Sequence, residues 1–311
     1  MGTRTKGALK NFSALVLLLV IAGVLTFYVE PLWVNDQIIR VKLWRHGVQS
    51  HYVEVNGYSI HYLEAAPADY PGIPLVLIHG IGSRGEDWAP MIPALAAQGF
   101  HVYVPDLLGY GRSSKPDVDY SISLQESVVL KFMDTLQLQH ANVGGWSMGG
   151  WVALRLTLDH PEKVNRLIVY DAAGTYFPPT FDASLFLPTD AASFAALRHM
   201  LSPIDTPLPS FVVRAAINNL AKNGWVIQRS YDAMVNGKDL TDFRLPDLQR
   251  PTLVVWGSLD QLIPLAVGEQ MQKAIPASTL AVVPGCGHLA PAECPTLVLK
   301  ATTDFLKSYP Q

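Results

Sequence analysis

Charge is scarce in this sequence. Asp, Glu, Lys and Arg make up 16 % of the 311 residues, against 49 % hydrophobic residues. A disordered chain has the reverse balance, so this composition belongs to a chain with a large buried core. The charges nearly cancel, to −3. That leaves no overall basic field for a nucleic acid, and no nucleic-acid motif is present. Cysteine is rarer still: Cys286 and Cys294 are too few for a disulfide-held scaffold, and their spacing matches no zinc site. They read as two small buried apolar side chains; a single disulfide stays open if the domain is exported. There is no internal repeat and no low-complexity tract. The length allows one large domain plus an accessory piece.

One segment lacks charge altogether. Residues 12–29, FSALVLLLVIAGVLTFYV, carry none, and as a helix at 1.5 Å per residue they span roughly 27 Å, close to a bilayer core. Arg4, Lys6 and Lys10 precede the run, and Glu30 and Asp36 are the first charges after it. The positive-inside rule therefore predicts a single-pass anchor with residues 1–11 in the cytoplasm and the catalytic domain on the other side, periplasmic in a bacterium. Tyr28 and Trp33 fall where an interfacial aromatic belt belongs. A cleaved signal peptide is the competing reading. Against it, the run is longer than a usual signal core, and the bulky Thr26-Phe27-Tyr28-Val29 replaces a small-residue cleavage site. Residues 30–50 form a juxtamembrane segment in which Trp33, Ile38, Val41 and Trp44 mix with Arg40, Lys42 and Arg45. Two readings stand side by side: a helix lying at the lipid surface, or one packed on the globular domain.

From residue 51 strands alternate with helices. Residues 51–55 and 59–64 flank Asn56-Gly57, a two-residue hairpin signal. Short apolar runs at 75–78, 102–104, 141–145, 167–170, 252–256 and 280–283 read as buried strands, with helices at 124–138 and 148–158. The pattern predicts an α/β fold: a mostly parallel eight-stranded sheet covered on both faces. Residues 175–245 break the rhythm with many prolines and aromatics and no clear strand; they read as a helical insertion between two sheet strands.

Gly145-Trp146-Ser147-Met148-Gly149 fits G-x-S-x-G between an apolar strand and a helix. Such an elbow places the serine oxygen above the sheet on a strained turn, and helix amides beside any developing anion. A serine hydroxyl needs a base to take its proton. Of nine histidines, His288 in Gly285-Cys286-Gly287-His288 lies just past the last strand, where a loop delivers it to the top of the sheet. His160, before Pro161, reads as structural, and His79 belongs to the loop after its strand. The imidazole needs a carboxylate to fix its tautomer. Asp260, in Trp256-Gly257-Ser258-Leu259-Asp260, gives the order Ser, Asp, His; Asp171, which also ends a strand, is the alternative acid. An oxyanion hole is expected from the backbone amides of Met148 and Ile81, the latter in His79-Gly80-Ile81-Gly82. The Asp106 and Gly109-Tyr110-Gly111-Arg112-Ser113-Ser114 stretch lacks the third glycine and the lysine of a phosphate loop, so it is read as loop shaping and not as nucleotide binding.

With these residues in place, the chain resembles the α/β-hydrolase superfamily across roughly 51–308. The matching pieces are HGIGS at 79–83, DLLGYGRSS at 106–114, GWSMGG at 145–150, WGSLDQLIP at 256–264 and GCGH at 285–288. With its N-terminal run the chain looks most like membrane-anchored monoacylglycerol lipases and bacterial inner-membrane lipases or phospholipases. The resemblance implies a helical cap at 175–245 and ester hydrolysis through an acyl-enzyme, with no metal and no cofactor. Related dehalogenases and epoxide hydrolases use an aspartate nucleophile, which Ser147 argues against. An aromatic-rich cap and a membrane anchor point to an acylglycerol or other lipid ester as substrate. Carbon–carbon bond hydrolases of ring-cleavage pathways, cofactor-free haloperoxidases or perhydrolases, and a non-catalytic binding module share the fold and stand as alternatives.

Overall fold

The computed structural model describes residues 2–67, 73–178, 181–204 and 206–308. Eight strands form one sheet: β1 (Gln49–Val55), β2 (Tyr58–Ala65), β3 (Ile73–Ile78), β4 (Phe100–Pro105), β5 (Ala141–Trp146), β6 (Val164–Tyr170), β7 (Thr252–Gly257) and β8 (Ser278–Val283). Their order is β1-β2-β4-β3-β5-β6-β7-β8. β2 pairs antiparallel with β1 and β4, and every other pairing is parallel. All eight expected strands are present. The hairpin is longer than its turn signal alone implies: Gln49 already pairs with Glu64, inside the segment assigned to the juxtamembrane region.

Alternation along the strands divides the core in two. Val76, Ile78, Val254 and Trp256 enter one cluster, with the helices α4 (Ile122–Thr135) and α5 (Met148–Asp159) over it. Leu75, Leu77, Leu253 and Val255 enter the other, covered by α3 (Ile92–Ala97) and by the helix Pro295–Lys307. Strands buried on both faces carry continuous apolar runs, the pattern seen in the sequence.

Between β6 and β7 the described chain holds no strand. It holds α6 (Ala191–Leu201), α7 (Ser210–Lys222) and α8 (Gly224–Val235), with short 3-10 turns at Ala183–Phe186 and Asp242–Asp247. This insertion lies over the carboxyl ends of the strands, because its side chains line the cavities around Ser147 described below.

Before the sheet come α1 (Gly2–Val29) and α2 (Pro31–Arg45). Pro31 occupies a first-turn position, where its missing N–H costs nothing. The segments 15–29 and 31–45 meet at 109°. Among the described residues no single helix is long and apolar enough to cross a membrane; the bent pair passes that test only when taken together. The expected cytoplasmic stretch and the first anchor residues, 1–14, lie outside the residues whose side chains are described. One face of α2 is docked: Leu43 is buried in the second core, Arg40 Nε lies 3.1 Å from Glu86, and Asp36 pairs with Arg84. Trp33, Ile38, Val41 and Trp44 are exposed. The Phe211 ring of α7 meets Phe27 edge-on at 5.6 Å and Tyr28 at a tilt at 5.0 Å between centroids, so the insertion touches the end of α1.

Candidate active site

The strand order reverses at β3, whose sequence neighbour β4 lies on one side and β5 on the other. A crevice opens at the carboxyl ends of such a pair, where open α/β sheets bind ligands. Ile78 registers with Gly145, so the loops leaving the two strands, His79-Gly80-Ile81 and Trp146-Ser147-Met148, emerge together.

Ser147 holds φ 56° and ψ −122°, a conformation that costs a residue with a Cβ on the order of 1–3 kcal/mol. Its surroundings over-determine it. Ser147 N donates to Tyr170 O at 3.0 Å, and Ser147 O accepts from Gly150, Trp151 and Ala173 N at 2.9, 3.3 and 3.1 Å. Close approach explains the glycines: a Cβ on Gly145 would strike the Gly149 carbonyl, and one on Gly149 the Ile78 carbonyl. The turn works because strand and helix touch backbone to backbone.

His288 Nε2 lies 2.9 Å from Ser147 Oγ, and His288 Nδ1 lies 2.8 Å from Asp260 Oδ2. An ionised carboxylate only accepts, so Nδ1 carries the proton and Nε2 is left to accept from the serine hydroxyl. Asp260 Oδ1 accepts from Leu262 and Ile263 N, both at 2.9 Å, which fixes the carboxylate plane. All three side chains are buried. The structure thus brings Ser147, Asp260 and His288 into one hydrogen-bonded chain.

The His288 loop is held from several sides. Trp146 Nε1 donates to His288 O at 2.7 Å, Leu259 N to Cys286 O at 2.8 Å, and Gly287 N to Glu293 Oε2 at 3.3 Å. Here one expectation is corrected. Cys286 and Cys294 are not two separate buried thiols; they form a disulfide, with Cα atoms 6.4 Å apart, that closes the loop carrying His288. The short helix Ala290–Glu293 folds the chain back so that Cys294 returns to Cys286, a reversal that the spacing in the sequence does not announce.

Asp171, the alternative acid, makes no hydrogen bond to His288. It is fully buried at φ 44°, its Oδ1 accepts from Gly257 N at 2.6 Å, and its Oδ2 has no partner. Burial, and then the neighbouring Asp260 charge, push its pKa well up.

The loop after β3 crosses directly over the serine: a Cβ on Gly80 would lie 3.0 Å from Ser147 Cβ. His79 donates from Nδ1 to Gly80 O at 2.8 Å and accepts at Nε2 from Leu107 N at 2.9 Å. It is therefore neutral, and burial lowers its pKa. The amides of Ile81 and Met148 have no acceptor among the described residues. Asp106 accepts from Gly85 N at 2.7 Å, Arg112 N at 2.8 Å and His61 Nδ1 at 2.7 Å. Burial is the largest influence and opposes its charge, but the hydrogen bonds and charges around it, those of His61 foremost, together bring the pKa down to about 2. The carboxylate ties the start of the Gly85–Trp88 turn, which follows the loop after β3, to the Gly109–Ser114 turn region. Nothing in the sequence distinguished His61, its partner.

Two cavities meet at Ser147. The larger, about 290 Å³, is lined by Phe177, Phe181, Phe186, Tyr231, Met234 and Leu240 among others and by no charged residue. The smaller, about 190 Å³, includes Ser83, Asp87, Trp146 and His288 with Leu197, Leu201 and Leu220. The sequence places aromatics in the insertion without saying which face the site; it includes Ser83 in the HGIGS run without a role, and Asp87 carries no motif of its own. Among the described residues no group of three or more His, Cys, Asp or Glu is placed to hold a metal ion.

The sequence profile described as alpha/beta hydrolase fold matches residues 73–294. The chain belongs to the α/β-hydrolase family. A 2-hydroxymuconate semialdehyde hydrolase from Pseudomonas sp. (strain CF600) is 30 % identical to this α/β-hydrolase over 254 residues, 76 % of this chain and 87 % of that protein. Lipase 3 of Moraxella sp. (strain TA144) is 27 % identical over 254 residues, 76 % of this chain and 77 % of the lipase. The crystal structure of a bacterial membrane phospholipase A superposes with a TM-score of 0.80 at 25 % identity, covering 96 % of this chain and 98 % of that one. A semialdehyde hydrolase, a lipase and a phospholipase thus stand among the proteins similar to this α/β-hydrolase.

Proposed function

We propose that this α/β-hydrolase cleaves carboxylic esters, with an acylglycerol or another lipid ester as substrate, through an acyl-enzyme on Ser147. One observation carries the reading: an uncharged, aromatic-walled cavity of about 290 Å³ opens onto a serine whose hydroxyl faces His288 Nε2. Ser147 Oγ attacks the ester carbonyl carbon as its proton passes to His288 Nε2. The tetrahedral oxyanion is held by the amides of Ile81 and Met148. On collapse the C–O bond to the alcohol breaks, and the imidazolium returns its proton to the departing oxygen. A water then attacks the acyl-serine, giving its proton to His288, and Ser147 leaves with that proton as the free acid forms. Asp260 keeps Nδ1–H in place and stabilises the imidazolium.

In this reading residues 12–29 anchor the enzyme in a single pass, with the N-terminus cytoplasmic and the catalytic domain on the other side. Support comes from the uncharged run, from Arg4, Lys6 and Lys10 before it, and from the exposed Trp33, Ile38, Val41 and Trp44 beside Lys42 and Arg45 on α2. Carbon–carbon bond hydrolysis is a second reading, favoured by the identity to the 2-hydroxymuconate semialdehyde hydrolase. Against it, ring-cleavage products carry a carboxylate, and neither cavity at Ser147 has a Lys or Arg in its lining. Purified full-length protein should hydrolyse monoacylglycerols, diacylglycerols or phospholipids and leave a ring-cleavage product intact. The reverse pattern would replace this reading with the second.

A further inference from the structure

The two cavities at Ser147 divide the substrate. His288 lines the smaller one and not the larger. Its Nε2 must hand a proton to the departing alcohol oxygen, so the alcohol half of an ester lies on the His288 side. The acyl half then falls into the larger, uncharged cavity.

The smaller cavity has one carboxyl group in its lining, Asp87; burial pushes its pKa up, against the lowering pull of the Ser83 hydrogen bond and the Arg84 charge. Asp87 sits in the single turn Gly85–Trp88 that follows the oxyanion-side loop. Its Oδ2 accepts from Ser83 Oγ at 2.6 Å and from Arg84 N at 3.1 Å, while no described residue donates to its Oδ1. The Arg84 guanidinium does not cancel this charge by a direct bond, because it is held by Asp36 and leans toward Glu86 at 3.8 Å. The remaining walls are largely aliphatic: Leu197, Leu201, Leu220, Ile227. An acceptor with a spare oxygen in an apolar recess suits a hydroxyl donor and disfavours an anion.

We propose that the smaller cavity is a leaving-group site for a neutral hydroxylated alcohol, glycerol being the simplest, and that Asp87 is its specificity-determining residue. The proposal rests on the ester-hydrolase reading above. It assigns hydroxyls of the alcohol as donors to Asp87 Oδ1. It also sets the site against a leaving group that puts a phosphate beside that carboxylate. A site built to bond a hydroxyl discriminates against an analogue lacking it, because the half-buried acceptor in a largely apolar recess is left without a donor.

The test uses the full chain and three esters of one acyl chain: 1-monoacylglycerol, the propyl ester and the acyl ester of glycerol 3-phosphate. Wild type should favour the monoacylglycerol over both others, by about tenfold or more in kcat/KM. In Asp87→Asn the monoacylglycerol-to-propyl ratio should fall about tenfold and the penalty on the phosphate ester should shrink. Two further variants test the division of the site. Leu220→Trp, in the smaller cavity, should lower the monoacylglycerol-to-propyl ratio and leave the preferred acyl length in place; Met234→Trp, in the larger, should shift that length downward. Unchanged ratios in Asp87→Asn, or exchanged effects of the two Trp variants, overturn the inference and leave ester hydrolysis standing. No turnover of any of the three esters, or of a nitrophenyl ester, overturns both.

Discussion

The rim of the sheet and the insertion above it are built to different tolerances. At the rim, backbone meets backbone: Gly145 on Gly149, Gly149 on Ile78, Gly80 on Ser147. Ser147 is strained at φ 56°, and its own amide and carbonyl make four hydrogen bonds that hold it there. In the insertion, contacts run through side chains. No residue of α7 is buried, and the aromatics that line the larger cavity, Phe177, Phe181, Phe186 and Tyr231, are packed only in part into the core. The chemistry is therefore fixed by close backbone geometry, while selectivity is left to a surface that tolerates exchange. Damage to the rim should fall on kcat; damage to the insertion should fall on KM and on substrate preference.

The sharpest test within the rim sets two carboxyls against each other. Asp260→Asn removes the acceptor that holds His288 Nδ1–H and should lower kcat on the order of 10⁴-fold. Asp171→Asn replaces a buried carboxyl, whose pKa is raised and which does not touch His288, with a neutral group of similar shape. It should leave kcat within about threefold. Steady-state kinetics on one nitrophenyl ester checks both, and equal losses would show that the two carboxyls act as one unit.

Breaking the Cys286–Cys294 bridge should come next in size. The bridge closes the His288 loop, but the bonds from Trp146 and Leu259 remain. The Cys286→Ser/Cys294→Ser double variant should lose on the order of tenfold in kcat through misplacement of the imidazole, with KM little changed. A smaller effect is expected in the insertion. Phe181→Ala should raise KM for long acyl chains by a fewfold to tenfold, about the effect of lost apolar contact, and leave kcat for a short ester near wild type. A large kcat loss there would erase the distinction between rim and insertion.

A last effect is read in stability and not in rate, through its dependence on pH. The pKa of Asp106 in the folded state is about 2, below the ordinary value near 3.9. Its contribution is thus fully present above about pH 4 and is lost as pH falls toward 2, on the order of 2 kcal/mol. Thermal melts from pH 5 to 2 should fall less steeply for Asp106→Asn than for wild type. Parallel curves would mean that the His61–Asp106 pair adds nothing to stability.

The rim was legible in the sequence because each of its parts ends a short apolar strand. Ser147 follows β5, Asp260 follows β7, His288 follows β8 and Ile81 follows β3. Strand-end position could not by itself separate Asp260 from Asp171, since both qualify. The deciding fact is spatial: His288 Nδ1 reaches Asp260 and not Asp171. The disulfide stays the lesser of two readings in the sequence because it depends on the reversal at Ala290–Glu293, which the spacing of two cysteines does not encode. The insertion was recognised as helical, yet its cavity was not. That cavity joins residues far apart in sequence, as where Tyr231 OH donates to Phe181 O at 3.2 Å. Periodicity gives the elements, and only their assembly gives the walls.

The central claim is that Ser147 is a nucleophile activated by His288. A fluorophosphonate reacts covalently with such a serine and not with an ordinary hydroxyl. Labelling of the full-length protein followed by peptide mapping should place the adduct on Ser147 in the wild type and give no adduct in Ser147→Ala. No label on wild type, or label retained in Ser147→Ala, would contradict the account.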